Sequence, residues 1–391
     1  MNNANRLARP AVHALAASKI REVANAGMGR PDLLAFWFGE PDQVTPGFIC
    51  QEAITSLQAG ETFYTHNLGI PELRQALATY SSRLHQACSP DQIAVTNSGM
   101  NAIAIVQQAL IDPGDRVVVV TPVWPNLVEG PKILGAKVCS VALDFSPAGW
   151  TLDLQRLLDA LTPATRLLIV NSPNNPTGWT MPREQQQAVL EHCRQRGIWI
   201  LADDAYERLY FEAAGGCAPT FLDLAGPADR VVSINTFSKS WQMTGWRLGW
   251  ITAPADLVPD LAKLIEFNTS CAPAFVQRAG VVAVNRGEAA VASFVARLKA
   301  GRDFLIPALN ALPQVQAVAP PGAMYAFFRV DGISDSLSFC KRLATEFDLG
   351  LAPGAAFGPE GEGFIRWCFA ASETSLDQGL ARLKAGLAAA R

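Results

Sequence analysis

The chain reads as an α/β protein: a large unit with a mostly parallel seven-stranded sheet sandwiched by helices, followed by a smaller α+β unit. Two features of the pattern predict this. From about Pro46 to about Asn285, short apolar runs alternate with helix-length amphipathic segments, as in βαβ units whose sheet is covered on both faces. Beyond that stretch the regular alternation gives way to strands and helices of an α+β kind. With 391 residues, 49% hydrophobic and 17% charged, the chain is long and apolar enough for two packed units.

In order, the candidate strands of the large sheet are Ile93–Thr96, Arg116–Thr121, Lys137–Ala142, Arg166–Val170, Ile198–Asp203, Val231–Asn235 and Leu248–Thr252. Periodicity between them predicts helices that include Asn101–Leu110, Arg183–Arg196 and Ala255–Phe267. A long helix near Pro273–Leu298 is expected to join the two units. After it, Val315–Ala319, Met324–Val330 and Phe364–Phe369 read as strands, Ser336–Phe347 as a helix and Thr374–Ala390 as a closing helix. The first 35 residues are helical at best. The expected division is an N-terminal arm (1–45) packed with the small unit, a large unit (46–285) and a small unit (286–391).

A net charge of −3 with no basic stripe argues against a nucleic-acid partner. Val117–Val120, among the longest aliphatic runs, is strand-length and too short to span a bilayer, so no membrane partner is expected. Met1–Arg6 lacks the apolar core of a signal peptide, and a cytoplasmic location is the expectation. The eight cysteines are scattered without a C-x-x-C pair, and His13, His66, His85 and His192 lie at no metal-ligand spacing. Reduced, buried thiols are therefore expected, and neither a disulfide framework nor a metal.

The segment Asn235–Gly249 carries the most chemistry. Lys239, near Phe237, Trp241 and Trp246, follows a buried strand and is expected to be partly desolvated. Desolvation disfavours the ammonium and frees the amine as a nucleophile. Thr236 and Ser238 supply hydroxyls, and Arg247 a guanidinium, of the kind an anionic phosphate needs. A Schiff-base lysine beside phosphate donors suggests pyridoxal 5'-phosphate (PLP); a solvated loop lysine is the plainer alternative.

Other segments add to this. Asp203 closes the apolar run Ile198–Ala202, where a carboxylate is costly unless it meets a cation such as a pyridinium N1–H. Tyr206, three residues on, would donate to the cofactor's phenolate oxygen O3', although a helix cap and a core tyrosine fit the same pattern. Asn171–Gly178 reads as a rigid turn from which Asn175 presents one fixed donor. Ser98-Gly99-Met100 joins a strand to a helix N-terminus, which suits a phosphate. Trp124 would stack on a ring or fill the core. Arg366, inside Phe364–Phe369, needs an anion, either an internal acid or a substrate carboxylate gripped by the two-pronged guanidinium.

Together, in order and separation, these motifs resemble the class I and II aminotransferases of PLP fold type I. The match covers most of the chain, through Gly39-Glu-Pro-Asp42, Tyr64–Arg74, Asp112–Asp115, Ser172–Gly178, Ser238-Lys239, Gly245–Gly249, and Pro353–Gly358 with Arg366. The resemblance implies that Lys239 attaches to PLP and moves the substrate proton, and that Asp203, Asn175 and Tyr206 hold the pyridine ring. It implies that Ser98, Gly99, Met100, Thr236, Ser238 and Arg247 hold the phosphate, with Trp124 against the ring. Arg366, Asn175, Trp124 and the Gly39 backbone would receive the substrate. Tyr64 matches a position that reaches the partner's phosphate across a homodimer with shared active sites.

Some positions depart from the family pattern. Met100 offers only its backbone amide, Val123 stands in place of an aromatic residue, and Thr236 keeps the hydroxyl of the commoner serine. No arginine is identifiable for a distal carboxylate, and Trp37 and Trp241 suggest a roomier or more apolar pocket. The implied activity is ping-pong transfer of an amino group from an L-amino acid to a 2-oxo acid, in amino-acid metabolism and biosynthesis. A PLP-dependent β-elimination (C–S) lyase would share every residue named. A PLP-sensing regulator is disfavoured by the charge and by the position of the Gly39 motif, too near the N-terminus to leave room for a DNA-binding domain.

Overall fold

The computed structural model describes residues 8–212 and 216–389. Met1–Arg6 and Ala390, the expected end of the closing helix, lie outside them. Seven strands form the large sheet: β1 (Ile93–Thr96), β2 (Arg116–Thr121), β3 (Lys137–Ala142), β4 (Thr165–Asn171), β5 (Trp199–Asp203), β6 (Val231–Thr236) and β7 (Gly249–Thr252). Their order is β1-β7-β6-β5-β4-β2-β3. β7 runs antiparallel to both neighbours, and every other adjacent pair is parallel.

The apolar runs are continuous because both faces of the sheet are covered. Along β2 and β4, successive side chains enter opposite cores. Val117, Val119, Leu167 and Ile169 pack in a core with Ile105 and Val106 of the helix Gly99–Leu110. Val118, Val120, Leu168 and Val170 pack in the other with Val189, Leu190 and Cys193 of the helix Arg183–Arg196. Parallel register then aligns the carboxyl ends: Asn171 pairs with Asp203, and Asp203 with Ile234. Gly249, which opens β7, sits opposite both Thr96 and Thr236. In open α/β sheets ligands gather at this edge.

A second, antiparallel sheet is ordered β8 (Val315–Gln316), β9 (Tyr325–Val330), β11 (Phe364–Cys368) and β10 (Ala352–Pro353). Its core includes Ile20, Val23, Phe36 and Trp37 from the N-terminal segment. Leu34–Ala35 also pairs in parallel with Leu349–Gly350, a short strand the sequence pattern had not suggested.

Two expected elements differ. The long connecting helix is two helices, Ala274–Arg286 and Glu288–Asn310. They part at Gly287, where a Cβ would lie 2.7 Å from the Trp241 indole nitrogen. The strand expected over Val315–Ala319 stops at Gln316. Asn310 takes both backbone groups of Ala317, accepting from its N–H at 2.8 Å and donating to its carbonyl at 2.9 Å, which removes them from the ladder.

Behind the carboxyl end of β5 lies a buried ionic cluster whose members come from distant segments. The His85 ring bonds Asp223 through Nδ1 at 2.7 Å and Glu207 through Nε2 at 3.2 Å. Cys217 brings a thiol beside them, but both imidazole nitrogens are already engaged with carboxylates. Burial alone would discharge the ring; the bonds to Asp223 and Glu207 and their charges outweigh it and raise the pKa from 6.5 to about 10. The stabilisation is therefore full below the unfolded-state value of 6.5 and is lost as the pH rises through about 10. Denaturant titrations across pH 6–11 are expected to show this loss. His85→Leu, which leaves the buried Glu207 without its cation and the half-buried Asp223 with the more distant Arg183, should lower stability by about 3–5 kcal/mol at neutral pH. A variant as stable as the wild type would mean that the cluster contributes nothing.

Candidate active site

At the carboxyl edge of the large sheet, facing the second sheet, is a cavity of about 380 Å³. Of the residues singled out in the sequence, Gly39, Gly99, Met100, Trp124, Asn175, Asp203, Tyr206, Thr236, Ser238, Lys239, Arg247 and Arg366 all line it. They come from loops, strands and helix N-termini up to 327 positions apart, Gly39 to Arg366.

Lys239 sits in a short helical turn, Phe237–Ser240, directly after β6, and its Nζ donates to the Gly39 carbonyl. The amine lies 5.6 Å from the centre of the Tyr206 ring. Burial lowers its pKa from 10.5 to about 8, with the neighbouring charges of Arg366 and Arg247 acting the same way. The neighbours expected from the sequence are not the cause. Phe237 and Trp241 pack away from the cavity against Tyr80 and Trp250, and Trp246 turns aside to bond Thr45. Trp37 likewise lies in the core of the second sheet, so neither Trp37 nor Trp241 enlarges the cavity.

Asp203, the last residue of β5, is buried and accepts from the Ala205 amide at 3.2 Å. Burial raises its pKa from 3.8 to about 6. Asn171, at the end of β4, donates to the Asp203 carbonyl at 2.9 Å and accepts from the Asn175 amide at 2.7 Å. It thereby ties the Asn175 turn to β5. Asn171 also lines the cavity, and sequence reasoning gave it no role because it read as the first residue of a turn.

Arg366 is 1% exposed and lies mid-strand in β11. It donates to Asn175 Oδ1 at 2.9 Å and to the Trp37 carbonyl, while its Nε is buried with no partner among the described residues. Its guanidinium lies 4.4 Å from the centre of the Tyr325 ring and 4.8 Å from that of Phe357. No described carboxylate pairs with it, which removes the internal-acid alternative among those residues.

At the opposite end of the cavity, the Thr236 hydroxyl bonds Ser238 Oγ at 2.9 Å, and Arg247 approaches Ser238 at 3.5 Å. Burial lowers the Arg247 pKa, the mark of a cation that an anion would stabilise. The helix Gly99–Leu110 points its N-terminus here, and its first amides have no intrahelical acceptor. Gly249 permits this approach, since a Cβ there would stand 2.5 Å from the Gly99 amide nitrogen. Ser98 does not line the cavity; its hydroxyl caps the helix by accepting from the Asn101 amide at 3.1 Å. Tyr64 also lies outside this chain's cavity and is 91% exposed.

The sheet edge thus gathers an amine with a depressed pKa, a carboxylate with a raised one, a guanidinium without an acid, and a pocket end suited to a phosphate. Comparison with known proteins agrees with that chemistry: the chain belongs to the class I and II aminotransferase family, whose model matches residues 32–383. It is 34% identical to an aspartate aminotransferase of Thermotoga maritima over 354 residues, 90% of this chain and 91% of that protein. It is 33% identical to an arginine–pyruvate transaminase of Pseudomonas aeruginosa over 349 residues, 88% and 87% of the two. The solved aspartate aminotransferase from Thermus thermophilus with maleate superposes with a TM-score of 0.90 at 30% identity, covering 97% of this chain and all of that one. The protein is a PLP-dependent enzyme that transfers amino groups.

The cavity fits PLP on its own features. Asp203 could pair with the ring nitrogen, because a cation there would relieve the buried carboxylate. Arg247, Ser238, Thr236 and the amides of Gly99 and Met100 could hold the phosphate, and Trp124 lies on the wall between.

Proposed function

We propose that the enzyme exchanges an amino group between an L-amino acid and a 2-oxo acid in two half-reactions, with Lys239 as the base. The observation that carries this is a single amine, with its pKa near 8, in the same cavity as a substrate-binding guanidinium. PLP, when bound, takes up the electron pair left at the substrate Cα and carries the amino group between the two substrates. Arg366 grips the substrate carboxylate with the help of Asn175, which fixes Cα in the cavity. The Lys239 amine, largely neutral once the pH exceeds 8, would take the Cα proton and pass it to C4' of PLP. With PLP bound, Asp203 would hold the ring nitrogen protonated, and Tyr206 would donate to the ring's phenolate oxygen. Lys239, Arg247 and Arg366 are the cations this chain's described residues place in the cavity, so no arginine remains for a distal carboxylate. Strict dicarboxylate specificity is therefore not expected of this chain alone.

The domain division proposed is 1–45, 46–285 and 286–391, supported by the pairing of Leu34–Ala35 with Leu349–Gly350 and by a separate core for the second sheet. A cytoplasmic homodimer working in amino-acid biosynthesis is also proposed. Phe63, Tyr64 and Phe267, bulky side chains left 83–91% exposed, support the dimer, because such groups are costly to leave in water. Among the described residues no helix is long and apolar enough to cross a membrane.

Lys239→Ala should cut turnover by about a hundred- to ten-thousandfold while the protein still takes up PLP. Asp203→Asn, which keeps shape and loses charge, should depress kcat far more than it raises KM. Normal turnover in either variant, followed with an amino acid and 2-oxoglutarate or pyruvate, would reject the assignment. Release of pyruvate and ammonia without an added oxo acid would point to elimination in place of transfer. Sedimentation equilibrium should give twice the 41.9 kDa chain mass; a monomer that remains fully active would exclude shared sites.

A further inference from the structure

Tyr325 received no role from the sequence, yet it touches three parts of the site at once. It opens β9, is almost wholly buried and lines the cavity. Its hydroxyl lies 2.7 Å from that of Tyr206. Its ring lies under the Arg366 guanidinium at 4.4 Å. It also occupies the space a side chain at residue 39 would need: a Cβ there would collide with the Tyr325 hydroxyl and stand 3.3 Å from Lys239 Nζ.

A phenol has one proton to give and can accept two. Between two phenols 2.7 Å apart, one donates to the other. If Tyr206 gave its proton to Tyr325, it would have none left for a group in the cavity. If Tyr325 is the donor, the Tyr206 proton is free to point inward. The surroundings favour the second arrangement. The Arg366 guanidinium, 4.4 Å from the centre of the Tyr325 ring, makes that phenol the better donor of the two, and Tyr206 faces the Lys239 amine of the cavity at 5.6 Å. The charged and titratable groups that face Tyr325 include Arg366, Cys368, Tyr206, Asp203 and, across Gly39, Lys239.

We propose that Tyr325 is a positioning residue for amino transfer: its hydroxyl donates to Tyr206 and so directs the Tyr206 proton into the cavity, while its ring supports Arg366. The proposal rests on the reading of Tyr206 as a donor to PLP and adds the group that orients it. One side chain then couples the carboxylate end of the substrate site to the ring end of the cofactor site.

The test uses PLP-loaded enzyme without substrate, titrated by its visible absorbance against pH, together with kcat and KM. Tyr325→Phe keeps the ring and removes only the donor. The pKa of the absorbance change should rise by about half a unit to one unit, the equivalent of one lost hydrogen bond. The kcat should fall by about three- to tenfold, with KM for amino and oxo acids nearly unchanged. In a Tyr206→Phe background the second substitution should add no further shift. That background also serves as the check should Tyr325→Phe alone lose its cooperative thermal transition. An unmoved titration, additive shifts in the double variant, or a raised KM as the sole effect would each overturn the proposal. A wild-type protein with no absorbance band on PLP addition would instead overturn the reading of the site itself.

Discussion

A buried guanidinium without a carboxylate partner among the described residues sets the terms for this site. Arg366 rises from the middle of a strand in the second sheet, and its hydrogen bonds go to a side-chain amide and a backbone carbonyl, both neutral. Taking such an ion out of water costs several kcal/mol. Two aromatic faces return part of that cost, each about 0.5–2 kcal/mol in partly desolvated surroundings. The remainder is a positive potential directed at the cavity, ready for an anion. The same contacts tie the N-terminal segment at Trp37 and the turn after β4 at Asn175 to the second sheet, so one charge links three segments at the cavity.

Burial then acts on the other ionisable groups in opposite senses. It lowers the Lys239 pKa to about 8 and raises that of Asp203 to about 6, so the two values converge on neutrality from either side. Lys239 can then give up its proton at modest cost, whereas Asp203 would keep its charge only with a cation such as a ring N–H beside it. Sheet topology makes this possible. β5 and β6 are parallel neighbours and deliver Asp203 and the Lys239 turn to one edge. The antiparallel β7 starts at that edge with a glycine, which lets the helix Gly99–Leu110 approach β6 closely enough to close the phosphate end.

The groups that were legible in the sequence share a physical trait. Lys239, Asp203 and Arg366 are charges that interrupt or end apolar strands, and such charges need partners wherever the fold places them. Arg247 was found as a phosphate donor close to Lys239 in sequence, and Asn175 became specific only through its place among the family motifs. Tyr325 was hidden because a tyrosine opening an apolar strand reads as core, and only the folded chain brings it against Tyr206. Asn171 was hidden for a similar reason, since its bond to the Asp203 backbone depends on which strands become neighbours. The error at Trp241 came from treating sequence neighbours of Lys239 as spatial ones, whereas the turn that carries the lysine sends Phe237 and Trp241 to the opposite side. Gly287, between the two connecting helices, leaves room for the same indole. His85, Glu207 and Asp223 are too far apart in sequence for spacing to suggest a cluster.

The central claim is that Arg366 receives the α-carboxylate common to all substrates. It is tested most directly by measuring the affinity of Arg366→Lys for a panel of amino acids and 2-oxo acids that share this group and differ in side chain. Lysine keeps the charge and loses the planar fork. Affinity should fall by about ten- to a hundredfold for every member of the panel, the loss of one charge-assisted hydrogen bond of roughly 1.5–3 kcal/mol. A loss confined to aspartate and glutamate, with monocarboxylic substrates spared, would mean that Arg366 reads a distal carboxylate and that the substrate lies the other way round.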